Sequence, residues 1–174
     1  MRISIWGDYA CPYCYIGETY LQKAIKELGV EDKIEYDLNA FQIDLDAPKS
    51  TNNTNAALLA YENYVSLDIT DAEAVDRVIS EVNPDVIVHC AAWTAVDMAE
   101  DDDKVAAVRK VNVDGTQNIA NVAKKLDAPM VYLSTDYVFD GQGTTPWEPD
   151  FKGYKPLNVY GQTKLGGEEA VSNT

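Results

Sequence analysis

This 174-residue sequence is short of histidine (one), cysteine (three) and basic side chains, with 14 Lys and Arg against 29 Asp and Glu. The one histidine, His89, lies inside an apolar run and reads as a packed core residue, and no metal site is expected. Three cysteines are too few for a disulfide framework. The formal net charge of −15 argues against nucleic acid and anionic membrane as partners, since both present phosphate of the same sign. Such acidity is a solubility property and does not itself call for a cationic substrate. No apolar run reaches the 18 or so residues of a membrane span. The opening Met1-Arg2-Ile3-Ser4-Ile5-Trp6 lacks the long apolar stretch of a signal peptide, so a cytoplasmic location is expected and the Asn52-Asn53-Thr54 sequon would stay idle.

The remaining composition, 46% hydrophobic and 25% charged, suits one globular domain with a sizeable core. Strand and helix patterns alternate. Arg2–Trp6 reads as a first strand, and a helix from about Cys11 to Leu28 carries Ile16, Tyr20, Leu21, Ala24, Ile25 and Leu28 on one stripe, with Gly29 placed to end it. Ile34–Phe41 alternates as a second strand, a short helix is expected at Asn55–Tyr61, and Tyr64–Leu67 is a short third strand. Thr70 and Glu73 fit a capping box for a helix whose Val75, Val78, Ile79 and Val82 point inward. Val86–Cys90 reads as a strand buried on both faces, a helix is expected over Asp103–Leu126, and Met130–Ser134 is a fifth strand. After a proline-containing loop, Asn158 starts a final helix. Alternation of this kind implies parallel crossovers and a doubly wound, Rossmann-like α/β sheet of about five strands in the order 3-2-1-4-5, with ligand chemistry at its carboxyl edge.

Two motif sets stand on this frame. In the carboxyl-terminal part come Leu67-Asp68-Ile69-Thr70-Asp71, the run from Asn83-Pro84-Asp85 through His89-Cys90-Ala91-Ala92-Trp93 to Asp97, Val111-Asn112-Val113-Asp114-Gly115-Thr116, Ser134-Thr135-Asp136-Tyr137-Val138-Phe139-Asp140-Gly141 and Tyr160-Gly161-Gln162-Thr163-Lys164. About 105 residues in this order closely resemble the dTDP-4-dehydrorhamnose reductase family of extended short-chain dehydrogenases. Tyr160 and Lys164, four apart on a helix, share a face, and an ammonium beside a phenol favours the phenolate. The resemblance implies that Tyr160 protonates a carbonyl oxygen as hydride arrives, that Lys164 also holds the nicotinamide ribose, and that Thr135 hydrogen-bonds the substrate oxygen. It further implies that Asp68 and Ile69 border the adenine and that Ala91 and Ala92 line the cofactor cleft. Read from the residues alone, Asn112 can instead simply brace a backbone turn, and Trp93 and Trp147 can border a pocket or fill core.

The second set is Trp6-Gly7-Asp8-Tyr9-Ala10-Cys11-Pro12-Tyr13-Cys14-Tyr15-Ile16-Gly17, with Phe41–Pro48 in support. Residues 1 to about 48 resemble the DsbA-like thioredoxin-fold oxidoreductases. A cysteine at a helix N-terminus gains thiolate character from free N–H groups and the dipole. By that resemblance Cys11 is the attacking thiol and Cys14 the resolving one, while Cys90 reads as a buried, inert thiol.

These two sets compete for the loop after the first strand. The reductase family expects G-x-x-G-x-x-G there, and Gly7 is the only glycine before Gly17. Glycines let pyrophosphate approach the backbone and helix N-terminus. The reading that follows is a single α/β domain over 1–174, divided into a thioredoxin-like 1–50, a seam at 51–63 and a truncated reductase-like 64–174. It would be a recombined scaffold without a catalytic cycle and with no cofactor. The alternatives are a thiol–disulfide oxidoreductase through Cys11 and Cys14, and an NADP(H)-dependent dTDP-4-keto-sugar reductase through Thr135, Tyr160 and Lys164. Self-association through exposed apolar surface is a further expectation.

Overall fold

The computed structural model describes residues 2–7, 12–40 and 67–174. Strand β1 (Arg2–Gly7) leads into helix α1 (Pro12–Glu27), which Gly29 follows at φ +61°, a conformation that a residue without a Cβ adopts at no steric cost. Strand β2 (Glu35–Ala40) then pairs parallel with β1, Arg2 facing Glu35 and Gly7 facing Ala40. Helix α2 (Ala72–Val82) and strand β3 (Val86–His89) come next, and β3 joins the other side of β1 with Ile3 opposite Val86 and Trp6 opposite His89. A helical run follows as α3 (Val105–Arg109), a π turn (Lys110–Gly115) and α4 (Thr116–Leu126). Strand β4 (Met130–Tyr132) pairs with β3, and α5 (Val159–Ser172) is the last element.

The sheet order β2-β1-β3-β4 is parallel throughout. It reproduces the expected sequence of strands for the four that lie among the described residues. The expected third strand falls on residues 64–66, outside them, and Leu67 is buried but not in a strand. The helix expected at Asn55–Tyr61, the seam at 51–63 and Cys11 also lie outside the described residues. Because β1 sits between β2 and β3, the amino-terminal unit and the reductase-like part share one sheet.

One face of that sheet is sealed by α2 and α4. Val75, Val78 and Ile79 of α2 meet Ile119, Val122 and Ala123 of α4, with Ile87 of β3, Leu67, Ile69 and Ala91 between them. Fully burying each of the larger side chains is worth about 1.5–3 kcal/mol. Gly115 is required here by close approach, since a Cβ would lie 2.7 Å from the Ile69 side chain.

Of the apolar stripe expected on α1, Ile25 is buried but Tyr20 and Leu28 are 66% and 74% exposed, so the stripe does not form one buried face. Two further local expectations change. The cap of α2 is Asp71, not Thr70: the Asp71 carboxylate accepts from the N–H groups of Glu73 and Ala74 at 3.1 and 3.0 Å. Asp71 has the extended backbone of an N-cap, whereas the Thr70 N–H is turned back onto the Asp68 carboxylate at 2.8 Å. The helix expected over Asp103–Leu126 starts at Val105 and is opened in its middle by the π turn, which a 3.6-residue apolar period does not announce. Asp101, Asp102 and Asp103 stand exposed before it, Asp103 paired with Lys104 at 3.2 Å.

Candidate functional site

At the carboxyl edge of the sheet, α5 brings the expected Tyr160 and Lys164 together. Asn158 caps the helix, its Oδ1 accepting from the Gly161 N–H at 2.7 Å, and the Glu100 carboxylate accepts from the Val159 N–H at 2.6 Å. A carboxylate at a helix N-terminus is favoured by the dipole, so this contact ties the turn at Met98–Glu100 to the start of α5. Tyr160 is buried against Ala99 and Val108, and its ring meets Tyr137 edge-on at 5.6 Å.

Lys164 is 3% exposed, an unusual burial for an ammonium. Its Nζ donates to the Leu133 carbonyl at 2.6 Å and lies 4.1 Å from the centre of the Tyr132 ring. Leu133 immediately follows β4, so the charge is held where strand gives way to loop. Two residues on, Thr135 caps a 3₁₀ turn (Asp136–Val138), its Oγ1 accepting from the Tyr137 N–H at 3.3 Å. That turn rests on the first turn of α5: a Cβ on Gly161 would lie 2.3 Å from the Tyr137 carbonyl oxygen. The loop after β4 that carries Thr135 thus lies against the helix that carries Tyr160 and Lys164. Ser134, beside Thr135, donates to the carboxylate of Glu168.

The π turn supplies the brace. Asn112 is buried; its Oδ1 accepts from the Trp93 N–H at 2.7 Å, and its Nδ2 donates to the Trp93 carbonyl at 3.3 Å and to Thr163 Oγ1 at 3.0 Å. Thr163 donates in turn to the Tyr160 carbonyl at 2.9 Å. Asn112 thus does more than steady its own turn: it joins the loop after β3 to the helix carrying Tyr160 and Lys164.

His89 is wholly buried, as the sequence suggested, with Nε2 3.0 Å from Thr116 Oγ1. The Thr116 hydroxyl proton is committed to the Asn112 carbonyl at 2.8 Å, which makes Nε2 the protonated nitrogen of His89. Burial, and then the charge of Lys164, lower the His89 pKa from 6.5 to about 3. Tyr132 moves the other way. Burial raises its phenol above the usual range, and Tyr160 and Glu168 add to the rise.

Residues expected to meet a dinucleotide divide. Ala91 and Ala92 are buried just beyond β3, and Lys164 stands fixed at the same edge. Asp68 is exposed, but Ile69 is fully buried in the α2–α4 core, so of that pair Asp68 is the one a ligand can reach. A buried ammonium anchored at the end of β4, one helical turn from Tyr160, fits the nicotinamide–ribose end of such a cofactor. Residues 8–11, where the reductase family expects its phosphate-binding glycines, lie outside the described residues. In the amino-terminal motif, Cys14 lies in the first turn of α1. Cys90, expected as a buried thiol, is only half-buried just after β3 and forms no disulfide among the described residues. Trp93 is half-buried against the Tyr160 cluster, whereas Trp147 is an exposed ring stacked on Phe139 and Phe151. Among the described residues, no group of three His, Cys, Asp or Glu could hold a metal, and no helix is long and apolar enough to cross a membrane.

Comparison with known proteins gives the site its context. The RmlD substrate binding domain family matches residues 42–174. A dTDP-4-dehydrorhamnose reductase of Shigella flexneri is 45% identical over 125 residues, 66% of this chain and 40% of that protein. The crystal structure of a dTDP-4-dehydrorhamnose reductase from Clostridium acetobutylicum superposes on 99% of this chain and 49% of its own, with a TM-score of 0.69 and 29% identity. A reductase of the same description from Bacillus anthracis, solved in complex with NADP, covers the same shares with a TM-score of 0.64 and 29% identity. The chain spans less than half the length of these relatives.

Proposed function

This chain belongs to the RmlD substrate binding domain family, and from that premise we propose that it carries the cofactor-facing catalytic half of an NADP(H)-dependent dTDP-4-keto-sugar reductase. The observation that carries this reading is Lys164, buried, one helical turn from Tyr160 and anchored at 2.6 Å to the Leu133 carbonyl, two residues before Thr135 in the chain. A Rossmann-like α/β sheet shared with reductase structures supports it, as does the NADP present in the Bacillus anthracis relative. This assignment replaces the expectation of a scaffold without a cofactor.

In this reading the Tyr160 hydroxyl gives its proton to the carbonyl oxygen of the keto-sugar. The neighbouring Lys164 ammonium favours the phenolate left behind and hydrogen-bonds the nicotinamide ribose. Thr135 donates to the same carbonyl oxygen and orients it. NADPH, when bound, supplies the hydride that completes reduction of the ketone to the alcohol. Asn112, through Thr163, keeps the Tyr160 helix in register with the loop after β3.

The test is a titration of NADPH followed by fluorescence and by the melting temperature. We expect saturable binding and a concentration-dependent rise in Tm, as required for a ligand that binds only the folded state. Lys164→Met should weaken binding, while Tyr160→Phe should bind NADPH and fail to oxidise it when a dTDP-4-keto-sugar is added. No rise in Tm at millimolar NADPH would overturn the assignment.

The position of Cys14 in the first turn of α1 favours a second reading for the amino-terminal segment, a dithiol pair with Cys11. Rapid alkylation at neutral pH that is lost in Cys11→Ser would support it, and alkylation no faster than that of an ordinary thiol would reject it.

A further inference from the structure

Lys164 is held from two directions, and the second is not explained by the acid–base pair. The Leu133 carbonyl accepts from the ammonium at 2.6 Å. The face of the Tyr132 ring, with its centre 4.1 Å from Nζ, restrains it from a different direction, because a cation is drawn to the negative face of an aromatic ring.

The ring is itself fixed. Its centre lies 5.5 Å from that of His89 with the planes tilted by 34°, and its hydroxyl donates to the Lys164 main-chain carbonyl at 3.4 Å. Gly167 leaves room for it: a Cβ there would lie 2.3 Å from the Tyr132 hydroxyl oxygen. The neighbour that backs the ring is an uncharged imidazole near neutral pH, so no second cation competes with Lys164 for the same aromatic group.

From this geometry we propose that Tyr132 is a positioning residue: its ring face, backed by His89, aims the Lys164 ammonium into the cleft beside Tyr160. The ring and not the hydroxyl supplies the restraint. The proposal rests on the reading of Lys164 as a cofactor-binding residue, but the aromatic contact can be measured without turnover.

The experiment uses the full chain labelled with ¹³C-lysine, with the Lys164 side-chain resonance assigned by its loss in Lys164→Arg. A ring-current displacement of the Lys164 Cε protons is expected in the unsubstituted protein and in Tyr132→Phe, and should vanish in Tyr132→Leu. In NADPH titrations, Tyr132→Leu should bind about tenfold more weakly, and Tyr132→Phe should restore what Tyr132→Leu loses. If far-UV circular dichroism shows Tyr132→Leu unfolded, Tyr132→Met takes its place with the same expected readings. A Lys164 resonance at the position of an exposed lysine would overturn the proposal, as would equal NADPH affinity of the Phe and Leu variants. An intact ring-current displacement in a protein that does not bind NADPH would support the aromatic contact and overturn the reductase reading.

Discussion

His89 shows how one buried side chain sets a pH limit on the whole molecule. Above its unfolded pKa of 6.5 the imidazole is neutral in both folded and unfolded chains, and its contribution to stability is fully present. As the pH falls below 6.5, the unfolded chain takes up a proton that the folded protein refuses until about pH 3. Stability therefore declines through that window, with a slope approaching about 1.4 kcal/mol per pH unit from this residue alone. Urea unfolding at pH 7, 6, 5 and 4 should give a shallower decline for His89→Leu than for the unsubstituted protein. Leucine removes the titrating ring, and Thr116 keeps its own bond to the Asn112 carbonyl. Equal slopes in the two proteins would mean that carboxylates alone govern acid sensitivity.

Helix α5 is the element in which sequence spacing and tertiary contact meet. Its start was legible, because Asn158 is a good capping side chain and Tyr160 and Lys164 fall four apart. What the spacing could not show is what stands opposite. Lys164 meets Tyr132 and Leu133 more than thirty positions away, and Asn112 meets Trp93 and Thr163 from a π turn hidden in an apolar period. The cap of α2 was misplaced for a related reason: Thr70 and Asp71 are both competent caps, and only the backbone bend decides between them. Close packing gives α5 its own test. A methyl at position 167 would lie 2.3 Å from the Tyr132 hydroxyl oxygen and 2.8 Å from the Asn112 carbonyl oxygen. Gly167→Ala gains up to about 1 kcal/mol of helix propensity, but overpacking costs about 1–3 kcal/mol and here pushes on backbone as well as a ring. A net loss of stability is expected by denaturant titration, together with altered ring-current displacement at Lys164. A more stable variant with an unchanged Lys164 resonance would show that α5 moves aside freely.

For the molecule as a whole, the central place of β1 decides whether the chain behaves as one unit. The cysteine motif follows β1 and the reductase-like segments begin after β2, and β1 pairs with β2 on one side and β3 on the other. Ile3, 7% exposed, lies opposite Tyr36 of β2 and Val86 of β3 and so takes part in both ladders. If the sheet is a single cooperative structure, weakening β1 must weaken α5 and the site with it. Ile3→Ala, a large-to-small core change, should cost about 2–5 kcal/mol. The loss should appear in one transition, with circular dichroism and tryptophan fluorescence giving the same midpoint. It should also lower the denaturant midpoint reported by the Lys164 resonance, although Ile3 lies at the start of the chain and Lys164 near its end. Two separate transitions, with only the first displaced by Ile3→Ala, would instead divide the chain into independently folding parts. Because β1 is an inner strand, pairing on both edges favours the single transition.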